Sequence, residues 1–197
     1  MSRRSALLVV ASVIVAGCGR SSAAVHSTKA PPTQFGFGQA ATTEDIARWN
    51  TDVDVLGRGL PEDSGTAAEG APIYARQCAV CHGADGAHGA VPPAPPLVGR
   101  LPGDAFPFAT DTTAVATVGN YWPYPTTLYD YIARAMPFPS PGTLTPHETY
   151  ALTAFILVQN HIVPGNTVLS AKSLPLVRMP AQGRFVPDDR RGGREVR

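Results

Sequence analysis

An all-α domain of few short helices joined by long ordered loops is the fold this sequence predicts, and three observations carry that prediction. Two segments open with the pattern Thr-x-x-Glu and continue with apolar residues at helical spacing, the mark of a capped amphipathic helix. The 197 residues include 19 glycines and 20 prolines, a content that favours turns and short helices over extended sheet. A long stretch between the first and second helical segments has no strong period, and loops of that length are uncommon unless they wrap something. With 44% hydrophobic residues, the chain fills one domain of ordinary size and leaves length for tails.

In chain order, the first element is an address. Arg3 and Arg4 precede an apolar run, Ala6 to Ala16, that is too short to span a bilayer. The run ends in Val15-Ala16-Gly17-Cys18, which resembles a bacterial lipobox. That resemblance implies a signal peptide over 1–17, cleavage before Cys18 and a lipid on the new terminal cysteine. It also implies export to the periplasm and attachment to a membrane. Losing residues 1–17 removes Arg3 and Arg4, leaving 14 basic against 15 acidic residues in the mature chain. Such a chain is tethered to a membrane rather than drawn to it by charge, and stable anchoring takes more than one lipid chain. The near-neutral balance also argues against nucleic acid as a partner.

Residues 18–41 are rich in Ser, Ala, Thr, Pro and Gly and read as a flexible tether. Residues 42–64 form an extension expected to pack on the domain, with a short amphipathic turn at Glu44 to Asn50 placing Ile46 and Trp49 on one face. The compact domain is expected over 65–163. Its first helix opens at Thr66-Ala67-Ala68-Glu69 and runs to about Cys78, with Pro72 an irritant inside it. A middle helix spans about Thr126 to Ala135, with Leu128, Ile132 and Ala135 on one face. The last opens at Thr145-Pro146-His147-Glu148 and carries Ala151, Leu152, Phe155, Ile156 and Val158 at helical spacing. Past Pro164 the pattern loosens, and residues 164–197 read as a C-terminal extension ending in a basic tail.

The chemistry sits at Cys78-Ala79-Val80-Cys81-His82, the sequence by which c-type haem is attached. Two thiols one helical turn apart can each add to a vinyl group of one porphyrin, and the adjacent histidine then serves as the proximal iron ligand. A redox Cys-x-x-Cys would want a strand before it and a βαβ context. A zinc site would need further ligands at suitable spacing, and the third cysteine is Cys18, far away. One covalent haem c is therefore the cofactor expected. For the sixth iron position the sequence offers Met136 and Met179. Met136 ends the middle helix and is followed by Pro137-Phe138-Pro139, which holds the chain extended, so it is favoured over Met179 in the loose segment. His26, His88, His147 and His161 read as surface residues.

Gly70, Tyr74, the haem motif, Pro95-Pro96-Leu97, Met136 and the helix Ala151 to Ile156 together resemble class I cytochrome c over residues 65–163. That resemblance implies that the first and last helices cross, with Gly70 and Tyr74 meeting Ala154 and Phe155. It also implies that the Pro95 carbonyl holds the His82 imidazole. Thr117 to Tyr124 leading into Phe138, Leu174 to Pro180, and Val186 to Arg190 are similar to the cytochrome subunits of sulfite dehydrogenases of the sulfur-oxidation (Sox) type. This implies a molybdenum-containing partner subunit as electron donor and a downstream cytochrome or oxidase as acceptor. Tyr121, Trp122 and Tyr124 are candidates to pack the haem edge and hydrogen-bond its propionates. The functional expectation is electron transfer rather than catalysis by the chain alone. The alternatives are a general shuttle to a terminal oxidase and a haem-based ligand sensor or peroxidase-like enzyme. Met136 speaks against the latter, which needs an open iron position.

Overall fold

A computed structural model describes residues 36–89 and 94–186. The chain divides into two units, 1–41 and 42–197. The described residues of the first, 36–41, are exposed and contain no helix or strand; all elements below belong to the second. The lipobox, Cys18, His26 and the end of the basic tail lie outside the described residues.

The element order is α1 (Thr43–Trp49), β1 (Ser64–Thr66), α2 (Ala67–Gln77), α3 (Ala79–His82), α4 (Val118–Tyr121), α5 (Pro125–Ala135), α6 (Pro146–Gln159) and β2 (Val168–Ser170). Single 3₁₀ turns punctuate the loops. Both anticipated capping boxes form. Thr66 Oγ1 accepts the Glu69 N–H and Glu69 Oε2 accepts the Thr66 N–H; Thr145 and Glu148 do the same for α6. Pro72 lies inside α2, which stays continuous. Its ring removes one donor, the one that would reach Ala68, while the box pins the first turn.

α6 is the centre of the molecule. The spacing predicted one apolar face, but Thr149 through Ala154, Ile156 and Leu157 are all buried. α2, α5, β1 and β2 all pack against it, so little of its circumference faces water. Two threonines tolerate this because their hydroxyls bond back to carbonyls one turn earlier: Thr149 to Thr145 at 2.9 Å and Thr153 to Thr149 at 2.7 Å. Each fully buried large apolar side chain here, such as Leu152 or Leu157, contributes about 1.5–3 kcal/mol.

α2 crosses α6 at Gly70. A Cβ on residue 70 would stand 2.0 Å from the Ala151 carbonyl oxygen and 2.9 Å from Phe155 Cβ. Phe155 meets Tyr74 as the resemblance implied, with ring centroids 4.9 Å apart. Gly70 faces Ala151, one turn before the anticipated Ala154.

Two expectations at the flanks are corrected. The helix at 43–49 forms, with its own capping box from Thr42 and Asp45, but it buries nothing. Ile46 is 56% and Trp49 81% exposed, so its apolar face is unpacked. The segment after Pro164, whose pattern looks loose, is folded onto the domain. β2 pairs antiparallel with β1, Gly65 opposite Leu169, and Leu169, Leu174, Met179 and Ala181 are buried. Strands of three residues are too short to show alternation, which hid the ribbon from the sequence. The stretch before β1 is anchored as well. Val53 donates its N–H to the buried Asp130 carboxylate at 2.8 Å, and Arg134 also pairs with Asp130. Burial alone would raise the Asp130 pKa, but the hydrogen bonds from Arg134 and Val53 and the Arg134 charge hold it below the usual value.

Candidate functional site at the Cys78–His82 turn

The site is one turn of helix grafted onto the end of α2. Cys78 caps α2 with its N–H on the Tyr74 carbonyl, 2.9 Å. Its own carbonyl accepts the N–H groups of Cys81, 3.0 Å, and His82, 2.9 Å. Gly83, at φ 79°, then turns the chain away; a Cβ there would stand 1.9 Å from the His88 carbonyl oxygen, so the exit requires glycine. Tyr74 Oη donates to the Gly83 carbonyl at 2.9 Å. Burial first, then the charges of Cys78 and Asp85, raise the Tyr74 pKa to about 12, which keeps that donor in place across the physiological range.

Cys78 and Cys81 are half-buried and joined to no disulfide. Burial, and then the neighbouring Cys81, push the Cys78 thiol up to about 11. It is therefore a protonated thiol at neutral pH. Val80 between them is 66% exposed, so the outer side of the turn faces solvent.

His82 is only 9% exposed, and its Nδ1 lies 2.8 Å from the Pro95 carbonyl oxygen. A carbonyl can only accept, so Nδ1 carries the proton. In the neutral ring, Nε2 then keeps its lone pair for a metal. Two free thiols one turn apart beside an imidazole of fixed tautomer are the donor set that c-type haem requires. The residues fit the group.

Pro95 is itself held by a polar lattice that sequence reasoning missed. The Gly86 carbonyl accepts the N–H groups of Leu97, 2.7 Å, and Val98, 2.9 Å. Asn160, which follows the last turn of α6 and is 1% exposed, donates to the Leu97 carbonyl at 3.1 Å and to Ile156 at 2.9 Å, and accepts from Gly99 N–H at 2.9 Å. Thr117 donates its hydroxyl to the Gly99 carbonyl. Removing the Asn160 amide would leave buried partners unsatisfied at roughly 1–3 kcal/mol each. The one available signal was an asparagine directly after a helical run, a common helix end.

The other candidates fall in different surroundings. Met136 is half-buried at the end of α5, its N–H on the Ile132 carbonyl at 3.2 Å. Met179, expected in a loose segment, belongs to the core at 4% exposure. Trp122 commits its indole N–H to Thr127 Oγ1 at 3.0 Å and stacks edgewise on Tyr131, 5.7 Å between centroids. Tyr124 caps α5 through its main chain, and its carbonyl accepts the Thr127 hydroxyl. Tyr121 is 41% exposed and joins an aromatic group with Phe106, Phe108 and Phe185. Arg184 lies over the Phe108 ring, 4.5 Å from its centroid. A mainly apolar cavity of about 380 Å³, lined by Pro96, Leu101, Phe106, Val115 and Asn120 among others, adjoins this group and the Pro95 segment. His88 pairs with Asp85 and is exposed, as is His161; His147 is half-buried and bonds the Ser64 carbonyl through Nδ1 at 2.7 Å.

Residues 65–156 match the family model described as cytochrome c oxidase, cbb3-type, subunit III. A solved structure, the sulfane dehydrogenase SoxCD from Paracoccus pantotrophus, is similar at 42% identity with a TM-score of 0.68, covering 79% of this chain and 73% of that one. A further one, the thiosulfate dehydrogenase TsdBA from Marichromatium purpuratum in its as-isolated form, is 28% identical over 50% of this chain and 20% of that one, TM-score 0.34. No curated protein matches the sequence.

Proposed function

The chain belongs to the cytochrome c family, with one covalent haem c and electron transfer as its function, and from that premise we propose that it is the electron-accepting subunit of a molybdenum-containing dehydrogenase acting on reduced sulfur. One observation carries the proposal. The 42% identity to the SoxCD structure extends over 79% of the chain, well beyond the 65–156 window that the cytochrome family model accounts for. A general-purpose cytochrome would have no reason to share the flanks.

The haem, when bound, supplies a one-electron couple at the iron. Cys78 and Cys81 would hold it by thioether bonds, and His82, its Nδ1 engaged by the Pro95 carbonyl, would offer Nε2 to the iron. Met136 is the residue we assign as the second protein ligand, and a thioether in that role would raise the potential. Tyr121, Trp122 and Tyr124 would pack the haem edge and hydrogen-bond its propionates. With His82 and Met136 as its protein ligands the haem would pass electrons rather than bind sulfite or oxygen, and substrate chemistry would belong to the partner. Its acceptor in turn is a downstream cytochrome or oxidase.

The test is reduction of the isolated haem protein by sulfite or by a sulfane-sulfur donor, followed by absorbance with and without the molybdenum subunit. Rapid reduction is expected only with that subunit, and only mildly salt-dependent because the mature chain is near neutral. Phe138, 82% exposed two residues after Met136, is expected to touch the partner. Phe138→Asp should slow reduction about tenfold with an unchanged spectrum. No reduction with the subunit present, or equal rates without it, would favour the general shuttle.

Location follows from the lipobox. The chain is placed in the periplasm and held to a membrane by lipid on Cys18. Cys18→Ser should move the protein from the membrane to the soluble fraction. A variant that stays membrane-bound would sink the lipid-anchor reading.

A further inference from the structure

The turn Asp54–Arg58 is closed by a dense set of hydrogen bonds. The Asp54 carboxylate accepts the N–H groups of Leu56 and Arg58, each at 2.9 Å, and pairs with the Arg58 guanidinium at 2.5 Å. Asp54 N–H reaches the Arg58 carbonyl, Gly57 N–H reaches the Asp54 carbonyl, and Thr126 at the start of α5 donates to the Val55 carbonyl at 3.2 Å. All this rigidity presents Leu56 at 69% and Val55 at 45% exposure. Beside it, a Cβ on Gly57 would stand 2.6 Å from Pro175 Cγ, and the next residue, Leu176, is 78% exposed. Two segments far apart in sequence thus meet to show leucines to solvent. These side chains add little to the core.

We propose that Val55, Leu56, Pro175 and Leu176 form the docking surface for the dehydrogenase subunit, a deepening that rests on the electron-acceptor reading above. Three things point to that occupant. Both segments lie outside the 65–156 window of the cytochrome family model, and the likeness to SoxCD reaches into the flanks. The charged pair at the turn, Asp54 with Arg58, is satisfied within it, so the turn presents its apolar side chains without an unpaired charge of its own. That composition suits a lasting subunit interface better than a transient encounter. An exposed apolar side chain on a preordered backbone also loses little entropy on binding. Finally, α5 starts at this surface and ends at Met136 after 11 residues, roughly 16 Å. One interface of standard size can span both the anchor and the rim where electrons enter.

The experiment is binding of the full-length, haem-loaded protein and its Leu56→Asp/Leu176→Asp variant to the purified molybdenum subunit, by interferometry, with sedimentation of each protein alone. The variant is expected to bind about a hundredfold more weakly, with the wild-type haem spectrum and thermal midpoint. Unchanged affinity would overturn the surface while leaving the electron-acceptor reading standing. A wild-type protein that neither binds nor is reduced by the subunit would overturn that reading and the surface with it. A wild-type dimer that the variant dissolves, with partner affinity intact, would assign the surface to a second copy instead and overturn the proposal. Should the aspartates alter the spectrum, Leu56→Ser/Leu176→Ser decides by the same measurements.

Discussion

Replacing both Cys78 and Cys81 with alanine will abolish covalent haem. Wild-type protein matured in an exporting host is expected to gain the mass of one haem and to keep its haem stain after denaturation; the double variant will show neither. The thiols sit in one turn whose backbone is closed by the Cys78 carbonyl accepting from Cys81 and His82, so single variants retain one attachment point and half of the constraint. The effect is all-or-none because thioether bonds survive denaturant while a histidine–iron bond alone does not. The buried Tyr74–Gly83 hydrogen bond does not depend on either sulfur. If the thiols of mature wild-type protein can both be alkylated, the attachment assignment is wrong.

The second large effect separates the two methionines. Met136→Ala is expected to abolish the weak charge-transfer band of the oxidised protein near the red end of the spectrum and to lower the reduction potential, since methionine ligation raises it. Met179→Ala should leave both untouched. It should instead lower the unfolding free energy by about 2–5 kcal/mol, the usual cost of truncating a buried methionine, because Met179 is 4% exposed within the core. Redox titration and chemical denaturation of the two variants, side by side, check this. A spectral change in Met179→Ala with none in Met136→Ala would exchange the ligand assignment and leave the fold as described.

What could be read in the sequence was what local chemistry decides. Thr66 with Glu69 and Thr145 with Glu148 announce helix starts because a cap is satisfied within four residues, and both form. The Cys-x-x-Cys-His spacing is likewise local. What escaped depends on contacts between distant parts. α6 looks amphipathic until α2, α5 and the β ribbon close around it. The ribbon joins residue 64 to residue 170 through strands too short to carry a period. Leu169 and Met179 become core only because that pairing brings them there. Asn160 reads as an ordinary helix end, yet it ties the loop bearing Pro95 to α6. The Pro95 contact was named on resemblance alone; the geometry sets its carbonyl 2.8 Å from His82 Nδ1. The exposed face of α1 shows the converse: a good local pattern does not supply something to pack against.

The crossing at Gly70 bears on how variation in such proteins should be interpreted. The atom that excludes a larger residue is a main-chain oxygen of Ala151, which cannot rotate aside as a side chain can. Position 70 is therefore closed even to alanine unless the two helices separate, and separation would disturb the end of α2 from which Cys78 follows. Across related chains such a position would stay fixed while its neighbours drift, and its constancy would mimic that of the haem-bearing residues. Its fixity would record a distance of approach between two backbones. It would carry no information about electrons.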